Sequence, residues 1–292
     1  MNMNEDKLQA LISLLDDADP NVYINIATEL SKLSASNIPY LENIWLESDN
    51  VILQERLDKI IDEIHYKSIL KELISWKNSP KQDLIDGAII INQSINYHLS
   101  KDSIKTTIQR LVDEIKPEIK EQETYLDKIK ILNHFLYFIH NYLILSPKET
   151  TDWGGNISSV LAQKKGNYII TSVLYAGIAQ SLKLPVTGIR LPNSIILSCE
   201  IHLNDSFVEK KKSYFYINPI DNGSVLSATQ LEHVIKFKKL KNLPQYYKPS
   251  NNMNMIVLLI QNQILSYGRQ NNHRNVEILK KLLNVLLQKK NK

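Results

Sequence analysis

The stretch from Gly166 to Leu203 leaves this chain few choices of fold. After the turn-forming pair Gly166-Asn167, Val173, Leu174, Ile178, Ala179 and Leu182 recur at helical spacing and predict an apolar helix of about 12 residues. Pro185 stands just past its end, where a helix cannot continue. Residues 195–203 then alternate, with Ile195, Leu197, Cys199, Ile201 and Leu203 on one side and Ile196, Ser198, Glu200 and His202 on the other. That is the pattern of a half-buried strand.

This order, continued by Phe215-Tyr216-Ile217-Asn218-Pro219, resembles the core of the transglutaminase-like superfamily. In catalytic members a G-x-C motif opens the core helix, a His lies on the next strand and an Asp on the one after. The chemistry explains the layout. A helix N-terminus favours the thiolate, the His takes the proton, and the acid holds the imidazole tautomer. The likeness narrows to the SirB-type branch, which carries helical segments on both sides of the core. Asn156 to Leu161 with Lys164-Lys165-Gly166-Asn167 is similar to that branch's approach to the core helix. Leu174-Tyr175 through Pro185-Val186 is similar to the helix and its exit, and Tyr216-Ile217-Asn218-Pro219-Ile220 with Gly223 to its strand and turn. Tyr246 to Asn252 is similar to the lead-in to its C-terminal helices. The resemblance implies a predominantly helical α+β fold: an N-terminal HEAT-like helical region, a degenerate transglutaminase-like core with a small antiparallel sheet, and a C-terminal helical hairpin.

The departures from that pattern decide the expected function. The cysteine position falls on Tyr168, the His position on Ser194 and the acid position on Asn218. A phenol with pKa near 10 is no thiolate, and neither Ser nor Asn is a base near neutral pH. No catalytic residue is therefore assigned, and the chain is expected not to be an enzyme. The three positions are expected to form a small polar cluster, in a cleft to which Trp153, Asn156, Asn167 and Asn193 could contribute.

Composition narrows the remaining chemistry. A chain of 292 residues that is 43% hydrophobic and 23% charged can bury a real core. Its one cysteine, Cys199, excludes an intramolecular disulfide and a Cys-based metal site, and reads as a small buried hydrophobe. His134 and His140 lie six apart, off the spacing at which one metal sees both. No metal site and no cofactor are expected. The start MNMNEDK is polar and acidic rather than a basic stretch followed by an apolar run, so no leader is expected there, and the apolar run Ile131 to Leu145 is interrupted by Asn133, His134, His140 and Asn141. A cytoplasmic protein that engages no membrane is the expectation.

Along the chain, helical faces recur at residues 7–17, 22–33, from Ile38, and from Val51 to Ile64. Further helices are expected at roughly 68–77, 83–98, 103–118 and 123–143. A short helix from Ala228 to Lys238 and a pair over Met253–Tyr267 and Asn275–Leu287 follow, the pair joined by Gly268 to Asn272 and resembling one TPR-like unit. Three regions result: 1–77, HEAT-like; 78–250, helical lead-in and core; 251–292, TPR-like helix pair. Residues 1–70 hold 13 acidic against 5 basic side chains, and 229–292 hold 2 against 12. Such asymmetry bears on partners.

A non-catalytic scaffold binding a protein or peptide is the expected function. Two alternatives stand beside it. One is a hydrolase or transferase using Tyr168, Ser194 and Asn218. The other is a binder of nucleic acid or acidic partners through the basic C-terminal helices, although lysines without more arginines and stacking aromatics argue against nucleic acid.

Overall fold

The computed structural model describes residues 5–145, 155–192, 194–202 and 212–288. The chain divides after Ser75 into two compact units. The first holds α1 (Glu5–Ile12), α2 (Pro20–Leu30), α3 (Ile38–Glu47) and most of α4 (Val51–Asn78). Asp19 caps α2, its side chain accepting from the Asn21 N–H, with Pro20 preset at the first helical position. Leu8, Leu15, Leu30, Leu41, Leu57 and Ile64 meet in one apolar cluster.

The separate helices expected at 51–64 and 68–77 are one helix of 28 residues. His65, Tyr66 and Lys67 contain no breaker, so nothing interrupts the ladder between them.

The second unit begins with α5 (Leu84–Gln93), α6 (Lys101–Ile115) and α7 (Tyr125–Asn133). The helix expected over 123–143 changes pitch after Asn133. Residues His134–Ile139 form a π-helical turn, with the His140 N–H donating five residues back to the Phe135 carbonyl at 2.9 Å. The helix expected to reach residue 98 stops at Gln93, where the Ser94 hydroxyl takes the Ile91 carbonyl and the Ile95 N–H closes three residues back onto the Asn92 carbonyl. β1 (Leu143–Ile144) and β2 (Lys165–Gly166) make a two-residue parallel pair flanking α8 (Ile157–Gln163).

The centre of this unit is α9 (Tyr168–Ser181), buried at every position from Ile169 to Ala179. A helix that is apolar all round belongs inside. It ends through Lys183 in the left-handed region, φ 61, with the Leu184 N–H closing onto the Ala179 carbonyl at 2.9 Å. The chain then enters an antiparallel sheet in sequence order: β3 (Val186–Leu191), β4 (Ser194–His202), β5 (Lys212–Asn218) and β6 (Ser224–Leu226). Ile189 pairs with Ile196, and Ser198 with Tyr216.

β4 is not half-buried, as its alternation predicts: Ile195, Ile196, Leu197, Ser198 and Cys199 are all buried. The reason is that both faces of the sheet are covered. α9 packs on one, and α10 (Ala228–Phe237) on the other. There Ile189, Leu191, Ile196 and Tyr216 join Leu231, Ile235 and Tyr246 in a second cluster. Ser198 tolerates burial by hydrogen bonding to the Thr187 hydroxyl across the strand pair at 3.1 Å.

α11 (Asn252–Arg269) and α12 (His273–Leu287) close the fold. Gly268, expected in their connection, lies inside α11, and Asn271 at φ 56 makes the turn. No helix among the described residues is long and apolar enough to cross a membrane. The architecture is a predominantly helical α+β fold with one small antiparallel sheet.

Candidate functional site

The start of α9 is where a thiol enzyme of the expected type would hold its nucleophile. Here Asn167 caps it, one residue before Tyr168, where the cysteine is expected. Its Oδ1 accepts from the Ile169 and Ile170 N–H groups at 3.0 and 3.1 Å. Its Nδ2 donates to Asn262 Oδ1 on α11 at 2.9 Å. Two of the backbone donors that would favour an anion at this helix end are thus taken by the cap. Asn156 does the same for α8, accepting from the Ser158 N–H. Both possible cleft asparagines therefore have structural bonds, while Trp153 and Asn193 lie outside the described residues.

Tyr168, at the cysteine position, is half-buried. Burial pushes its phenol up from the ordinary value, opposed in part by the charge of Arg269 at the end of α11. Desolvation keeps the group neutral, the reverse of what a nucleophile needs. Cys199 supplies no substitute. It is fully buried in mid-strand, and burial with the Glu200 charge pushes its thiol up to about 12.

The register separates the remaining positions. Asn218 pairs with Ser224 and is in phase with Tyr216, which joins the cluster on the α10 side. Tyr168 heads the helix on the opposite face of the sheet. Ser194 begins β4 opposite Leu191; its side chain lies outside the described residues. The expected three-way polar cluster is not among the hydrogen bonds of the described side chains.

A surface cavity of about 760 Å³ lies along the outer edge of β3. Its walls come from Pro192 at the β3–β4 hairpin and from the run Gln245, Tyr246, Lys248, Pro249, Ser250, Asn251 and Asn254. That run is held against the edge strand by the Ser250 N–H, which donates to the Gly188 carbonyl at 2.7 Å. Tyr246 is buried beneath the wall, whereas Lys248, Asn251 and Asn254 are exposed. The lining offers amides, a hydroxyl and one ammonium, which can hydrogen-bond a polar chain but hold no general base. Among the described residues no three His, Cys, Asp or Glu side chains could hold a metal ion.

One part of this site, Tyr246 to Asn252, was singled out from the sequence as a motif, without any sign that it lines a cavity. The amides that tie together the elements next to it were missed. Gln180 and Asn252 exchange two hydrogen bonds at 2.9 Å, and Gln180 also donates to the Val186 carbonyl. These residues join the exit of α9 to the start of α11, 72 positions apart. The only sequence signal was the paired Asn251-Asn252 before an apolar helix.

Comparison with known proteins agrees with this architecture. A family profile described as the transglutaminase-like superfamily matches residues 102–261, more than half of the chain. A UPF0162 protein of Buchnera aphidicola subsp. Acyrthosiphon pisum is 29% identical over 166 residues, covering 53% of this chain and 55% of that protein. Another, from Buchnera aphidicola subsp. Schizaphis graminum, is 28% identical over 156 residues with the same coverage. The chain thus spans about half the length of the curated relatives it matches. No solved structure matches it.

Proposed function

Because the chain belongs to the transglutaminase-like superfamily, we propose that it is a SirB-type member that has lost the thiol chemistry and works as a protein- or peptide-binding scaffold. The observation that carries this reading is the state of its sole cysteine. Cys199 is sealed in the sheet with its thiol pushed up to about 12, while the nucleophile position holds a phenol whose pKa is raised by burial. A capped helix end at Asn167 adds to it, since two of the donors that would steady a thiolate are already engaged.

In this reading the cavity beside β3 is the binding site. An extended segment could satisfy its polar groups against Ser250, Asn251, Asn254 and Lys248, with Pro192 at one end. The four helices of the first unit are read as HEAT-like and the α11–α12 pair as TPR-like, both surfaces suited to partner contact. A cytosolic setting goes with this role.

The test has two arms. Amine incorporation into a casein acceptor measures acyl transfer, and no turnover above buffer is expected. Peptides selected by display on the immobilised protein are then measured against Asn254→Trp, which fills the cavity from an exposed helix position. Affinity should fall at least ~10-fold, the loss expected when a central contact site is blocked. Acyl transfer abolished by Tyr168→Phe would replace the scaffold with an enzyme. Selected peptides indifferent to Asn254→Trp would move the binding site elsewhere.

A further inference from the structure

α10 ends in an exposed segment. Lys239 stops the helix in the left-handed region at φ 54, its N–H donating to the Lys236 carbonyl at 2.8 Å. The Leu240 N–H closes onto the Ile235 carbonyl at 3.1 Å. These are the paired bonds of a Schellman end, and they turn Leu240 back onto the cluster of Leu231, Ile235 and Tyr246. Every other residue from Lys236 to Gln245 is exposed. Phe237 is 89% exposed, more than any other large apolar side chain among the described residues. Lys236, Lys238, Lys239 and Lys241 surround it in sequence, and Leu243 is exposed beside them.

The charge here has one sign. Between Asn222 and Val276 the sequence holds a single acidic residue, Glu232, whose carboxylate is bound by Lys236 at 2.9 Å. A fully exposed phenylalanine among lysines asks for an apolar phase and an anionic surface at once. A bilayer with acidic lipids supplies both, with phosphates at the depth of the ammonium groups and the acyl boundary just below. Nucleic acid fits less well. No arginine lies between Thr229 and Gly268, Tyr246 is buried, and among the described residues no ring stacks on Phe237 to extend a platform.

We propose that residues 236–243 form a peripheral membrane-binding tip, which inserts Phe237 into the surface of an anionic bilayer and sets its lysines on the lipid phosphates. This revises the expectation that no membrane is engaged, and it involves no spanning segment. The site is remote in chemistry from the cavity beside β3 and stands without it.

Sedimentation of the full chain with vesicles tests the proposal, comparing phosphatidylcholine alone with an equimolar mixture of phosphatidylcholine and phosphatidylglycerol. Binding is expected only to the mixture, and should weaken as salt is raised. Lys238→Glu/Lys241→Glu should reduce it by at least ~25-fold, at about 5-fold for each basic residue removed near an anionic surface. Phe237→Ser should reduce it about 10-fold by removing the buried ring. Both variants replace exposed side chains, so unchanged thermal unfolding separates lost binding from lost folding. No binding to the mixture, equal binding to neutral vesicles, or binding that both variants leave intact would overturn the proposal. Single-stranded oligonucleotide binding that the same variants abolish, with no vesicle binding, would replace the bilayer by nucleic acid.

Discussion

The Tyr175 hydroxyl donates to Asn133 Oδ1 at 2.7 Å, tying the middle of α9 to the last residue of α7, 42 positions earlier. Asn133 in turn donates through Nδ2 to the Gly223 carbonyl at 2.7 Å, in the turn between β5 and β6. One asparagine thus links the central helix with the sheet, and each of its atoms has a partner only while the other two elements stay in place. Tyr175→Phe leaves the Asn133 oxygen without its donor. A loss of about 0.5–1.5 kcal/mol is expected, the net worth of a typical hydrogen bond, because Asn133 is half-buried. Urea unfolding measures it. A change under about 0.5 kcal/mol would mean the bond contributes little net stability.

Gly223 belongs to the same network. Its φ of +73 is left-handed, and a Cβ there would lie 2.5 Å from Asn133 Cγ. Gly223→Ala should therefore cost more than the ~1 kcal/mol of backbone strain alone. In the background of Asn133→Ala, which removes the obstructing amide, the added cost should fall to that strain term. Strict additivity of the two substitutions in a double-mutant cycle would contradict the contact.

A second close approach fixes how α5 meets α9. A Cβ on Gly177 would lie 2.6 Å from Ile85 Cγ1. Alanine favours a helix interior by about 1 kcal/mol over glycine, yet overpacking a rigid core costs about 1–3 kcal/mol. Gly177→Ala is therefore expected to destabilise on balance. Ile85→Ala should cost about 2–5 kcal/mol alone and less than additively in combination with Gly177→Ala. Thermal unfolding of the four proteins decides it, and a stabilised Gly177→Ala would show that α5 yields readily.

The Asn167 cap can be separated from its link to Asn262. Asn167→Ala removes both and should cost about 1–2 kcal/mol. Asn167→Asp keeps the acceptor for the Ile169 and Ile170 N–H groups, adds a charge favoured at a helix start, and should cost clearly less. Equal losses in chemical unfolding would assign the effect to the Asn262 bond.

Alkaline pH should unfold the protein through its buried acids. Burial raises the Cys199 thiol from 9.0 to about 12, and Tyr142 from 10.0 to about 12. In the unfolded chain these groups lose protons first, so the folded state binds more protons in that window and stability falls as pH rises. Their contribution is intact below about pH 9 and lost on approaching pH 12. Cys199→Ala should flatten the early part of that decline. At pH 8 the native thiol should resist a disulfide reagent that labels it at once in urea. Rapid labelling of the folded protein would refute the sealed environment on which the scaffold reading rests.

Much of the fold is local, and local patterns show in a sequence. Pro20, Pro39 and Pro185 mark where helices begin or end, and the apolar run through α9 gives a buried central helix. That Tyr168, Ser194 and Asn218 carry no thiol, imidazole or carboxylate is equally plain, because it is a matter of residue identity. Position 199 is plain as well, since one cysteine inside a β pattern has little else to be.

Other features depend on partners far along the chain. Period-two alternation in β4 describes one apolar face and one mixed face, and says nothing of what covers the mixed one. α10 covers it, which buries Ser198 and removes the expected exposed side. The paired bonds of Gln180 and Asn252 span 72 positions, and the cavity beside β3 exists only because Ser250 docks on Gly188. Sequence determined most of the helices and strands and which functional groups stand at each position, since those follow from backbone propensity and side-chain identity. Tertiary structure alone decided which amides became caps, which polar groups met across the core, and where the cavity opened, because a hydrogen bond or a packing contact forms only where two distant segments are brought within a few ångströms.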